Sequence, residues 1–180
     1  MPCTASELIR IAEKEIGTTE NPKGSNRVKY NKAYYSQDVS GDSYSWCAVF
    51  VWWCFRQAAA PELYYDGKKT AYVPTLDQWA KDNGLTVTDP QPGDLIIFDW
   101  NDNGIGDHIG ICTGADIQTV KTIEGNTDDM VSRRIRQRED ILRVIRPRYA
   151  PESVSEHHCS SDSCPILAWL AKLLNEEDPS

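Results

Sequence analysis

The chain has 180 residues, enough for one domain and an extension, and 40% hydrophobic residues with six Trp and eight Tyr can close a packed core. A formal net charge of −8 excludes a non-specific nucleic-acid binder, which carries the opposite sign. No apolar run approaches the roughly 20 residues of a spanning helix, which excludes membrane insertion.

Residues 4–17 read as a helix, with Thr4 as cap, Glu7 as its capping-box partner and Gly17 as stop. Leu8, Ile9, Ile11, Ala12 and Ile16 form its apolar face. Residues 18–36 are polar and irregular, with a short helix around Tyr30–Tyr35. Within Gly41 to Pro61 the chain is apolar nearly all round after the cap candidates Ser43 and Ser45, is ended by Pro61, and reads as a buried central helix. Tyr72 to Asp82 is a further helix with Pro74 in its first turn and Gly84 beyond its end. The period then changes to two. Asp94–Trp100, His108–Thr113, Gln118–Glu124, Met130–Arg136 and Ile141–Pro147 are candidate strands separated by Gly, Asn and Asp turns. Helices first and an antiparallel sheet afterwards is an α+β layout.

Beyond residue 148 the composition shifts. Residues 149–165 form an acidic, Ser-rich linker, and residues 166–180 a short amphipathic helical tail, available for docking on the body or for self-association. From Pro151 onward Lys172 is the one base against six acids. His157, His158, Cys159 and Cys164 include zinc-ligand types but lack a second half at finger-like spacing. Six cysteines are too sparse for a disulfide-stapled fold, and the three inside apolar stretches read as reduced thiols. The opening Met1–Glu7 lacks a basic region and an apolar core, so no signal peptide is expected.

Nucleophilic cysteine chemistry needs a thiolate, and the unpaired N–H groups at a helix N-terminus favour that anion. Cys47 stands at such a position; Cys54, two turns on, reads as packing, and packing alone would also account for Cys47. A Cys–His enzyme needs a base, and His157 and His158 lie in the linker, which leaves His108. Alternation puts Ile109 and Ile111 on one face and His108, Gly110 and Cys112 on the other, where small residues would let a helix approach. A third group should fix the imidazole tautomer, and either Glu124 or Asn126 could bond its far nitrogen.

Ser45-Trp46-Cys47-Ala48, then Pro92-Gly93-Asp94-Leu95-Ile96-Ile97-Phe98, then Gly106-Asp107-His108-Ile109-Gly110, then Glu124-Gly125-Asn126 occur in an order that resembles the CHAP family, the cysteine, histidine-dependent amidohydrolases/peptidases. That family is a papain-like relative within the NlpC/P60 group, and the resemblance covers about Ala5 to Arg148, which places the catalytic domain at residues 1–148. It implies a papain-like fold and peptidoglycan hydrolysis, as N-acetylmuramoyl-L-alanine amidase or as peptide endopeptidase. It puts the nucleophile on Cys47, the base on His108 and the orienting acid on Glu124, with Asn126 at a supporting polar position. Where many relatives have Gln beside the nucleophile this chain has Ser45-Trp46, so the Cys47 backbone N–H is the remaining oxyanion donor. Tyr44, Trp46 and the Tyr30–Tyr35 loop are candidates to line a substrate groove.

Asp99-Trp100-Asn101-Asp102-Asn103-Gly104-Ile105-Gly106-Asp107 matches the first half of an EF-hand loop, with Asp99, Asn101, Asn103 and Asp107 as calcium ligands, but Gly110 replaces the bidentate Glu at its end. Some CHAP domains carry structural calcium; catalysis needs no cofactor. The expected role is a phage or prophage endolysin, held in the host cytoplasm and released to the wall. The competing readings are a calcium-stabilised binding module with inert Cys47 and a thiol protease acting on proteins.

Overall fold

The computed structural model describes residues 3–152. Most of the 149–165 linker, the 166–180 tail and the zinc candidates lie outside the described residues.

Helix α1 (Ala5–Glu13) starts as the sequence indicates, with Thr4 Oγ1 accepting from the Glu7 N–H at 3.2 Å. The Glu7 carboxylate does not return to the cap; it turns to Arg10 Nη2 at 2.6 Å. The helix also ends four residues before Gly17. The Gly17 N–H bonds to the Val131 carbonyl and the Val131 N–H to the Thr18 carbonyl, both at 2.9 Å, so the sheet claims this backbone. Helix α2 (Lys29–Tyr35) stops at Ser36, whose φ is 60°. Helix α3 (Cys47–Gln57) is buried along almost its whole length, and α4 (Val73–Asp82) has Pro74 in its first turn.

Six strands follow: β1 (Thr86–Val87), β2 (Leu95–Phe98), β3 (His108–Ala115), β4 (Thr119–Thr127), β5 (Met130–Gln137) and β6 (Ile141–Ile145). They form one antiparallel sheet in the order β1-β6-β2-β3-β4-β5. Leu95, Ile97, Ile109, Ile111, Ile123 and Ile145 face the helices and share the main core with Phe50, Val51, Cys54 and Phe55 of α3. Ile96, Phe98, Cys112, Val120 and Val144 form a smaller cluster on the opposite face. This is the α+β arrangement expected from the sequence, with helices packed on an antiparallel sheet. Among the described residues no helix is long and apolar enough to cross a membrane.

One expectation about the faces is overturned. The helix approaches the sheet on the Ile109/Ile111 face, not on the face of Gly110. The residue that admits α3 is Gly125: a Cβ there would lie 2.5 Å from Phe50 Cβ and 2.9 Å from Trp46 Cζ3. Glycine at 125 therefore lets β4 lie against the first turn of α3.

Candidate active site

Cys47 is the first residue of α3 and is 6% exposed. The N-cap residue, Trp46, makes no side-chain cap hydrogen bond, so the N–H groups of the first turn have no acceptor from it. The segment leading into the helix is fixed from two sides. Asn31 Nδ2 donates to the Tyr44 carbonyl at 2.7 Å, and Trp46 Nε1 donates to the buried carboxylate of Glu20 at 2.7 Å. Trp46 is fully buried, which removes it from the substrate groove: its indole sits against Tyr30, at 5.4 Å between ring centroids. Tyr44 stays half-buried, edge-on to Tyr35.

His108 opens β3 and is 6% exposed. Its Nε2 lies 3.0 Å from Glu124 Oε2, so the carboxylate accepts and the ring nitrogen donates. Nδ1 is then the nitrogen left for Cys47, whose charge also bears on the imidazole. Of the two candidates for the far nitrogen, Glu124 makes the bond. Asn126 sits in a bulge between Glu124 and Thr127 with φ 58°, and among the described residues it makes no hydrogen bond to His108 or Glu124.

Glu124 is completely buried, and both oxygens are used twice. Oε1 accepts from Thr122 Oγ1 (2.6 Å) and Arg136 Nε (3.0 Å), and Oε2 accepts from His108 and from Arg136 Nη2 (2.6 Å). Burial alone would raise its pKa, but the bonds from His108, Arg136 and Thr122 outweigh it and pull the carboxyl down to about 2. Burial likewise disfavours the imidazolium, yet hydrogen bonds and charge from Cys47 and Glu124 overcome it and push His108 up to about 9. The other described thiols lack such a partner: burial pushes Cys3 and Cys112 up to about 11 and Cys54 well above its ordinary value.

Three side chains escaped sequence reasoning. Thr122 shares the face of Glu124, a parity the alternation shows without marking it as functional. Arg136 pairs with Val120 in register, while Ser132 stands opposite Glu124, so only the reach of a long side chain along the sheet brings its guanidinium to the carboxylate. Trp100, 47% exposed, stacks on His108 at 5.4 Å and 28° and carries the Arg136 guanidinium over its ring at 5.1 Å. A loop tryptophan gives no signal of its own.

In the 99–107 loop Asp99 accepts from the backbone N–H groups of Asn103 and Gly104, at 3.3 and 2.7 Å. Asn103 Oδ1 accepts from the Ile105 N–H at 2.8 Å, Asp107 accepts from the Trp100 N–H at 2.9 Å, and the Asn101 amide nitrogen points at Asp107. Among the described residues no three His, Cys, Asp or Glu side chains gather to hold a metal ion. As placed, these groups hydrogen-bond to the backbone and side chains of the turn itself.

A cysteine at a helix head, an imidazole and a buried carboxylate in sequence define a Cys-His-Glu constellation of the kind used for acyl transfer. Residues 39–126, which hold all three, match the CHAP domain family. Among solved structures, the chain is similar to Ly7917 at 15% identity and a TM-score of 0.48, over 81% of this chain and 63% of that one. It is also similar to Ly7917 with the hydrolyzing product of MDP, at 12% identity and a TM-score of 0.46, over 80% and 63% of the two chains. The chain thus spans less than two thirds of the length of these structures. No curated protein matches.

Proposed function

We propose that this chain is a cysteine hydrolase of bacterial wall peptidoglycan that cleaves an amide bond. The observation that carries the reading is the Cys47–His108–Glu124 relay inside a segment matching the CHAP domain family. In this mechanism His108 Nδ1 holds the proton of Cys47, and the sulfur attacks the scissile carbonyl. The backbone N–H of Cys47 faces the developing oxyanion, a part no side chain at position 46 can share because the Trp46 N–H is spent on Glu20. Protonated His108 gives its proton to the leaving amine, and water then releases the acyl group from sulfur. Glu124 keeps Nε2 protonated throughout, and Arg136 and Thr122 keep Glu124 ionised and in place.

Digestion of purified Gram-positive sacculi by the full chain and by Cys47→Ala, with and without EDTA, tests the proposal. The active chain is expected to release fragments identifiable by mass, and Cys47→Ala to lose about 10⁴-fold or more in rate. No difference between the two proteins would retire it, and digestion by neither would leave the binding module with an inert thiol. The EDTA arm reads calcium directly: the self-closed 99–107 loop is expected to leave the rate unchanged.

A further inference from the structure

The acidic 99–107 loop spends its polar groups on itself, and what it holds in place is an aromatic ring. Asp107 is the hub. Its N–H donates to the Phe98 carbonyl at 2.8 Å, and its carboxylate accepts from the Trp100 N–H at 2.9 Å and from Asn101 Nδ2 at 3.2 Å. Asp99 secures the other side, its N–H donating to the Asp140 carbonyl at 3.0 Å and its carboxylate accepting from the N–H groups of Asn103 and Gly104. The end of β2 is thereby tied to the residue before His108, with Trp100 set between them. The indole lies 6.0 Å from the Phe98 ring at 5° and 5.4 Å from the His108 ring at 28°. Phe98 belongs to the cluster on the sheet face away from the helices and stands opposite His108 in register. The three rings therefore pack as one group over the end of the β2–β3 pair, with the catalytic imidazole among them.

His108 is buried while Trp100 stays exposed, so on this side water meets the indole before the imidazole. The same indole carries the Arg136 guanidinium over its ring at 5.1 Å, and that guanidinium bonds to both oxygens of Glu124. Trp100 thus touches the relay at two points: the base itself, and the cation that fixes the base's orienting acid. Alignment matters here, because a displacement of about 1 Å in a reacting group can cost about 100-fold in rate. We propose that Trp100 is a positioning residue for His108, a cover that holds the imidazole plane against Glu124 and keeps water from the Nε2–H···Oε2 bond, and that the Asp107 carboxylate acts through it as a clasp. The proposal rests on the Cys-His-Glu reading of the site and is independent of which amide bond is cut. It gives the acidic loop a task in catalysis.

The test has a spectroscopic arm and a rate arm, both on the full chain. The His108 Nε2–H, buried and bonded to Glu124, is expected as a slowly exchanging ring signal in the proton NMR spectrum, identified by its loss in His108→Ala. Trp100→Leu is expected to lose that signal to exchange with water, and Trp100→Phe to keep it, since a phenyl ring still stacks. On peptidoglycan, Trp100→Leu should lower kcat about tenfold with KM within about twofold of the parent, and Trp100→Phe should recover most of the rate. Asp107→Ala, which keeps the indole and alters an exposed carboxylate, guards against a folding defect. It should broaden the ring signal and lower kcat about threefold, and should add nothing to Trp100→Leu in the double variant. A retained ring signal or a parent kcat in Trp100→Leu would overturn the positioning role. So would a raised KM at unchanged kcat, which would make Trp100 a substrate contact. Full additivity of the two substitutions would overturn the clasp. If the parent chain cleaves no peptidoglycan, that reading falls instead, and the ring signal still decides the cover.

Discussion

Glu124 is a buried anion whose four hydrogen bonds come from a hydroxyl, an imidazole and a guanidinium, and this sets how the site titrates. His108 is held protonated up to about pH 9, against an ordinary value of 6.5, so the acid that serves the leaving amine is present across neutral pH and lost above 9. The kcat/KM profile is expected to fall on its alkaline side near pH 9. Glu124→Gln removes a negative charge that favours the imidazolium, so the same limb should move down by about one unit. A limb that stays put would show that Glu124 does not act on His108. Stability follows the same signs. The raised His108 value stabilises the fold fully below pH 6.5 and loses that contribution as pH rises through about 9. The lowered Glu124 value stabilises it above pH 4.5 and loses that contribution as pH falls through about 2. Cys47 and His108 were legible because residue type and position restrict the choices. Arg136 was not, because the pairing register sets it opposite Val120 and side-chain reach is invisible in a string of letters.

At the scale of elements, alternation locates the five longer strands and apolar character locates α3, but glycine roles depend on which face is covered. Gly110 sits where the sequence suggests room for a helix, and the room is taken by Glu124 itself. A Cβ at 110 would lie 2.7 Å from Glu124 Cγ and 3.2 Å from Thr122 Cβ, with the Ile123 carbonyl 3.5 Å away. Gly110→Ala is therefore expected to push the carboxylate off His108 as well as overpack the sheet. The stability cost should be about 1–3 kcal/mol by chemical denaturation, with kcat reduced more than KM is raised. Gly114, in the same strand, has nothing within 4 Å of an added Cβ, and Gly114→Ala should stay within about 0.5 kcal/mol of the parent. Matching losses in both variants would mean that β3 resists any side chain, not that Glu124 needs the space. Strand β1 went unread because two residues carry no period, and the early end of α1 because its cause, pairing of Gly17 and Thr18 with Val131, lies more than a hundred residues away.

Across the whole molecule, the two ends of α3 have separate duties. Cys47 and the relay stand at its head, while near its tail the Phe55 ring stacks on Tyr149 at 6.3 Å and 14°. There the first and last described segments lock together. Tyr149 Oη donates to the Gly93 carbonyl at 2.7 Å, the Ala150 N–H to the Cys3 carbonyl at 3.0 Å, and the Ser6 N–H and hydroxyl to Glu152 at 2.9 and 2.7 Å. Gly93, with φ 95°, lets Ala5 come within 2.5 Å of where its Cβ would be, so the Pro92-Gly93-Asp94 motif serves this closure and the ion pair of buried Asp94 with Arg146 rather than the chemistry. Tyr149→Ala removes a stacked ring and one hydrogen bond, and should cost about 2 kcal/mol. At about 2–4 °C per kcal/mol for a domain of this size, the melting temperature should fall by about 4–8 °C. Eight residues of helix separate Phe55 from Cys47, about 12 Å at 1.5 Å per residue, and the head of α3 is held independently by Glu20, Asn31 and Gly125. Alkylation of Cys47 by iodoacetamide, read at that peptide by mass, should therefore proceed at the parent rate in Tyr149→Ala at 25 °C. A fall in both melting temperature and alkylation rate would show that closure at the tail of α3 also sets the geometry at its head.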